Sequence, residues 1–230
     1  RKVWEREEKL VHDGKKYHIP LPAEEGTGLG IPLKLVNHPY RDNIPIALAT
    51  LTEKNVAMTA EIAEAWLPAF YMAEGADKVW GAALTKGNAK RPIDMPPLDI
   101  YAGGAVAIGE ALEDYRNMAR AGIALYVGGM GARDRNFYND VFKQYGYEKE
   151  AKRIQNLYLS GRKSEAEAAI PQPYLDATTL VGSEGFVVDR LHALKNSGVT
   201  SLNVNFVGTT TKERVKNCDA LKNLLMKQGL

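Results

Sequence analysis

The apolar positions of this chain are most regular from residue 44 onward. IPIALAT is an unbroken apolar run with Pro45 near its start, which predicts a strand buried on both faces. In EKNVAMTAEIAE, Val56, Ala60 and Ala63 recur at i, i+4 and i+7, the spacing of one helix face. AWLPAF reads as a second short strand, and PPLDIYAGGAVAI carries a third before its Gly-Gly break. ALEDYRNMARAGIALYV is helical, with Leu112, Tyr115, Ala119 and Gly122 along one stripe. A helical stretch follows from about residue 136 to 170, interrupted near Gly146 and Gly161. SEGFVVDRLHALKNSG turns Val187, Leu191 and Leu194 inward and stops at Gly198. In VTSLNVNFVG, Leu202, Val204 and Phe206 alternate with polar neighbours, giving a fourth strand. TKERVKNCDALKNLLMKQ closes as a helix whose stripe is Val215, Cys218, Leu221 and Leu225. Upstream, residues 2–12 read as a helix with Trp4 and Leu10–Val11 on one side. KKYHIPLP, the glycine-rich tip AEEGTGLG and IPLKLV then form an irregular extended excursion.

Strand then helix, four times over, argues for parallel pairing with crossover helices. Four such units are half of an eight-unit barrel, and a whole barrel takes about 250 residues. Here a helical insertion at roughly 112–196 takes up the length. The expectation is therefore a (β/α)8 barrel that is incomplete in this chain, with an open four-stranded α/β sheet as the plainer alternative.

Composition narrows the function. Lys+Arg is 30 and Asp+Glu is 28, so a net charge of +2 makes no electrostatic case for nucleic acid or a membrane surface. No apolar run approaches the roughly 18 residues of a spanning helix, and no signal peptide is visible. The single cysteine, Cys218, excludes an internal disulfide framework and fits a reducing compartment. The chain starts at Arg1 in mid-pattern, which raises the expectation of a fragment. A half-barrel with open strand edges is expected to associate or to behave as molten on its own.

Candidate chemistry centres on the turn between the first regular strand and its helix. Thr50, Leu51 and Thr52 stand where parallel α/β folds hold ligands, beyond the carboxyl end of a strand. Thr52 is an N-cap candidate, and the free N–H groups behind it suit a phosphate. Glu53 opposes an anion there, and Lys54 offsets it in part. The turn is either a phosphate holder or a simple cap. His12, His18, His38 and His192 show no metal-ligand spacing. GTGLG is followed by Ile31 and Pro32, not by a helix, which argues against a nicotinamide-binding Rossmann unit.

IPIALATLTEKNVAMTAEIAEAWLP resembles the central segment of the luciferase-like flavin and deazaflavin oxidoreductases. There, a strand ending in small residues leads into a helix and then into a strand close to ADGWLP, which AEAWLP matches. GTGLGIPLKL and YVGGMGARDRNFYNDVFKQYGYEKEA resemble the subfamily that uses the deazaflavin coenzyme F-420. The likeness covers essentially the whole chain and aligns it with the C-terminal two-thirds of such proteins, as one portion of a single barrel domain. The resemblance implies an F-420-dependent oxidoreductase that moves a hydride between the deazaflavin and a small organic substrate. Its rivals are a flavin mononucleotide (FMN) monooxygenase and a non-catalytic barrel subunit.

By position, the family's phosphate turn falls on Ala49, Thr50, Leu51 and Thr52. Many relatives carry Gly or Gly-Pro there, so Leu51-Thr52-Glu53 departs from the pattern. Tyr126 and Met130 are implied as walls over the coenzyme ring; Arg133 and Arg135 are of the type that meets an acidic coenzyme tail by charge-assisted bonds, with solvated loop arginines as the plainer alternative. Packing of YVGGMG against a neighbouring helix remains the alternative for that stretch. Pro68, Phe70 and Tyr71 are expected at the barrel mouth as an apolar platform for an aromatic ring or apolar substrate, with core packing an equal explanation of Phe70. The resemblance further implies a cytoplasmic protein that is a homodimer when full length.

Overall fold

A computed structural model describes residues 1–26, 29–41 and 43–230. They divide into two compact units, Arg1–Ile46 and Ala47–Leu230. In the first, α1 (Lys2–Glu5) ends at Arg6, whose φ of 61° is left-handed. The helix expected over 2–12 is thus a single turn. Residues beyond it pair with one another as a hairpin, β1 (His12–Asp13) against β2 (His18–Ile19), closed by the Gly14 N–H donating to Tyr17 O at 3.0 Å. The expected glycine-rich tip includes Thr27 and Gly28, which lie outside the described residues.

The second unit carries the regular elements. β3 (Ala47–Leu48), α2 (Glu53–Ile62) and β4 (Ala65–Trp66) come first. A 3-10 turn (Ala73–Gly75) and a π-helix (Asp77–Gly81) lead into α3 (Ala82–Asn88). β5 (Asp99–Ile108) precedes α4 (Glu113–Asn117), α5 (Ala119–Gly129), α6 (Phe137–Gln144) and α7 (Glu148–Leu159). Then follow α8 (Lys163–Ala168), α9 (Gln172–Ala177), β6 (Leu180–Gly182), α10 (Glu184–Asn196), β7 (Ser201–Phe206) and α11 (Thr211–Gln228). Every strand pair in this unit is parallel. β5 is the hub: Val106 pairs with Leu180 on one side and with Phe206 on the other. Among the described residues the barrel is not closed: β3 pairs with β4 alone and β7 with β5 alone.

Three expectations change. β3 was expected to be buried on both faces, yet Ala47 is exposed, because an edge strand has a neighbour on one side only. The strand count of this unit is five, not four. β6 lies inside the expected helical insertion, and its three residues, Leu-Val-Gly, are too short a run for periodicity to separate from the helices around it. In α11, Val215 and Cys218 face outward, and the buried residues are Leu221 and Leu224. Asn217 sets that rotation. Its carbonyl oxygen accepts from Ile108 N at 3.1 Å, and its amide donates to Val207 O at 2.9 Å, tying the helix to the ends of β5 and β7.

Two apolar cores result. One packs Val56, Trp66, Trp80, Val106, Leu180 and Val187 between the sheet and its helices. The other lies among α5 to α9, around Val127, Phe142, Ile154 and Tyr174.

Candidate active site

The turn after β3 is held from inside. Trp66 Nε1 donates to Thr50 O at 3.0 Å, and Trp80 Nε1 donates to Leu51 O at 3.2 Å. Thr59 donates its hydroxyl to Asn55 O, so the 2.8 Å contact between Thr50 and Thr59 takes its proton from Thr50. Thr52 is the N-cap of α2 by position, but its side chain accepts no capping hydrogen bond. The carbonyls of the turn point into the core, and the N–H groups at the start of α2 stay open. Leu51, Thr52 and Glu53 line a cavity of about 590 Å³ with Lys78 and Asp140. Ala49 is exposed beside it in sequence.

The platform after β4 lies on a different cavity, of about 300 Å³, which Pro68, Phe70 and Tyr71 line with Tyr101, Ile123 and Asn203. Phe70 has a φ of 56°, an uncommon conformation for a bulky side chain, which costs on the order of 1–3 kcal/mol. Tyr145 clamps it: its hydroxyl donates to Phe70 O at 3.0 Å and accepts from Met72 N at 3.1 Å. Burial pushes the Tyr145 hydroxyl far above the ordinary tyrosine value, so the clamp stays neutral. Tyr71 is only 5% exposed. Its hydroxyl donates to Ser197, and its ring stacks on Trp80 at 5.8 Å, so it is as much a core residue as a wall.

Phe70 also meets Tyr126. Ring centroids of Phe70, Tyr126 and Tyr138 lie 4.8–5.6 Å apart in edge-to-face contacts. One expected substrate residue and one expected coenzyme residue thereby share a cluster. Met130, just past α5, is exposed, and neither it nor Tyr126 lines the turn cavity or the cavity beneath Phe70.

The YVGGMG stretch has a packing explanation of its own. A Cβ on Gly128 or Gly129 would stand 2.5 or 2.4 Å from Tyr158, so α7 approaches α5 only because both positions are bare. Asn136 joins the corner: its amide donates to Tyr126 O and Val127 O, and its oxygen caps α6 by accepting from Tyr138 N and Asn139 N. Arg133 is engaged by Asn156.

Sequence reasoning missed Tyr138, Tyr145, Tyr101 and Asn203. Tyr138 and Tyr145 stand in the quoted NFYNDVFKQYGY stretch, but only the fold carries them to Phe70. Among the described residues, no group of three or more His, Cys, Asp or Glu side chains is placed to hold a metal. No described helix is long and apolar enough to cross a membrane.

The sequence profile of the luciferase-like monooxygenases matches residues 1–201. The chain belongs to this family. A Mycobacterium tuberculosis protein, named as a coenzyme F-420-dependent oxidoreductase, is 37% identical over 228 residues. The match covers 96% of this chain and 63% of that protein, so the chain spans less than two-thirds of its relative's length. The coenzyme F-420-dependent tetrahydromethanopterin reductase of Methanopyrus kandleri has a similar fold, with a TM-score of 0.62 at 17% identity, over 94% of this chain and 55% of that one. An F-420-dependent secondary alcohol dehydrogenase is similar at a TM-score of 0.65 and 8% identity, over 98% and 58%. At such identities these two likenesses establish the fold: an α/β barrel of the luciferase-like type, open in this chain.

Proposed function

We propose that this chain is part of an F-420-dependent oxidoreductase that transfers a hydride between the deazaflavin and a small organic substrate. The observation that carries the reading is the 37% identity to a relative named for that activity. When bound, the deazaflavin supplies two-electron hydride chemistry, and the protein contributes position, electrostatics and exclusion of water. The residues present fit such a group. The open N–H groups after Thr52, with Lys78 in the same cavity, suit a phosphate, while Phe70 and Tyr126, in edge-to-face contact, are read together with the exposed Met130 as walls for a flat ring. Pro68, Phe70 and Tyr71 are read as the substrate platform. Ala49 and Thr50 take part through backbone only, since the Thr50 hydroxyl is committed to Thr59.

Residues 1–230 are read as the C-terminal portion of one luciferase-like barrel domain, in a cytoplasmic protein that is a homodimer when full length. Glu53 and Asp140 beside the turn favour one rival, a non-catalytic barrel subunit, because both carboxylates oppose an anion. Titrating the chain separately with F-420 and with FMN, followed by fluorescence, tests the reading. Binding of F-420 alone supports it. Preference for FMN moves the assignment to a monooxygenase, and binding of neither leaves the supporting subunit.

A further inference from the structure

Between β4 and the 3-10 turn, residues 68–72 run without a strand partner or a turn of their own. Among the described residues, the backbone of 68–71 takes part in one hydrogen bond only, donated by the Tyr145 hydroxyl to Phe70 O at 3.0 Å. The same hydroxyl accepts from Met72 N at 3.1 Å, so a single oxygen spans residues 70 and 72. Backbone tied this sparsely is free to relax, and a bulky residue gains by leaving the left-handed region. Phe70 nevertheless stands at a φ of 56°.

The hold comes from one face of one helix. Tyr138 lies in α6 and Tyr145 is its C-cap, seven residues or two turns later, so both project to the same side. Tyr138 meets the Phe70 ring edge-to-face at 5.6 Å, and Tyr145 takes the Phe70 carbonyl. Tyr145 cannot simply follow Phe70. Its ring is wedged between Trp80 at 6.0 Å and Tyr174 at 6.4 Å, and it packs against both apolar cores. Phe70 lines the platform cavity, whereas Tyr145 does not.

We propose that Tyr145 is a positioning residue of the candidate active site: from outside the platform cavity, it fixes Phe70 in the left-handed conformation that carries its ring onto the cavity wall. Without the hydroxyl, residue 70 returns to a negative φ and its ring leaves Tyr126 and Tyr138. That the wall seats a flat ligand rests on the oxidoreductase reading above; the hold on Phe70 rests on the geometry alone.

The test compares Tyr145→Phe with two controls in the intact chain. Tyr174→Phe removes a buried hydroxyl from the neighbouring ring, and Val187→Ala opens a gap in the other core. Phenylalanine labelled with 13C at Cα gives five signals, and the one that Phe70→Leu removes reports the backbone at residue 70. In Tyr145→Phe that signal is expected to move toward the extended range. In both controls it is expected to stay in place, although Val187→Ala loses stability as well. F-420 and FMN are titrated against the same proteins. Whichever binds the unsubstituted chain is expected to bind Tyr145→Phe about tenfold more weakly and both controls equally well. A Phe70 signal that stays in place in Tyr145→Phe overturns the proposal, as does one that moves alike in all three variants. A signal that moves while affinity is unchanged also overturns it, because the position of Phe70 then does not serve the site. If a coenzyme binds and the signal does not move, this proposal falls and the oxidoreductase reading stands. If neither coenzyme binds the unsubstituted chain, that reading falls, and the Phe70 signal alone decides the hold.

Discussion

Replacing Trp80 by phenylalanine separates the two readings of the turn after β3. The indole is 1% exposed, and its N–H is the recorded donor to Leu51 O, at 3.2 Å. That bond is at the long end of the normal range, so losing it costs about 1 kcal/mol, with the stranded carbonyl adding up to about 1 more. The smaller ring also leaves a gap against Trp66, Tyr71 and Tyr145, whose centroids lie 5.2–6.0 Å away, worth about 1–2 kcal/mol after partial collapse. The expected loss is therefore about 2–4 kcal/mol, a large share of a typical domain's stability. Urea unfolding followed by circular dichroism measures it, with the slope checked for constancy. In parallel, F-420 affinity is measured on the folded variant at low urea. If the turn carries phosphate, freeing Leu51 weakens coenzyme binding as well. A stability loss with unchanged affinity would refute the link between this turn and the coenzyme. A loss below about 0.5 kcal/mol would refute the packing argument itself.

Two buried tyrosines give opposite expectations in the same unfolding assay. Tyr145→Phe removes a hydroxyl with partners on both sides, Phe70 O and Met72 N, and is expected to cost about 1–3 kcal/mol. Tyr174→Phe removes a buried hydroxyl that has no partner among the described residues, and is expected to be neutral or to stabilise by about 1 kcal/mol. Burial holds the Tyr71, Tyr145 and Tyr174 hydroxyls above the ordinary value of 10.0, so folding favours their neutral forms. That stabilisation is fully present below pH 10 and is lost as pH rises beyond it, where the unfolded chain ionises first, and alkaline melting curves should show this decline. Gly128→Ala should destabilise more than Gly129→Ala. The first added methyl meets Tyr158 near its backbone, at Cβ, while the second meets the outer ring, which can swing away, and thermal melting ranks the pair.

Much of the second unit's order was legible because its strands and helices carry their own periodicity. Val56 and Ala60 are buried on α2, and Val187, Leu191 and Leu194 on α10, as their spacing implied. What escaped depends on contacts between distant segments. The π-helix and α3 were passed over because Gly81 and Gly87 dilute their apolar pattern, and the reason for Gly87 lies on another helix. A Cβ there would stand 2.1 Å from Ala57 O. The asparagine that turns α11 is similarly silent in sequence, since its partners sit at the ends of β5 and β7. In the candidate site, the place of the turn could be read from its strand-to-helix junction. The indoles that set it come from 16 and 29 residues downstream, and no local window shows that.

The turn cavity and the platform cavity share a thin wall. Trp80 lines the first, Tyr71 lines the second, and their rings lie face to face with planes only 6° apart. Were a ligand against one ring to shift the other, the two cavities would be thermodynamically linked. Reciprocity then applies: whatever factor an occupant of the turn cavity imposes on affinity at the platform, an occupant of the platform imposes in return. Under such a link, each occupant's apparent affinity would depend on the other's concentration, with the Tyr71–Trp80 stack as the element that carries the dependence.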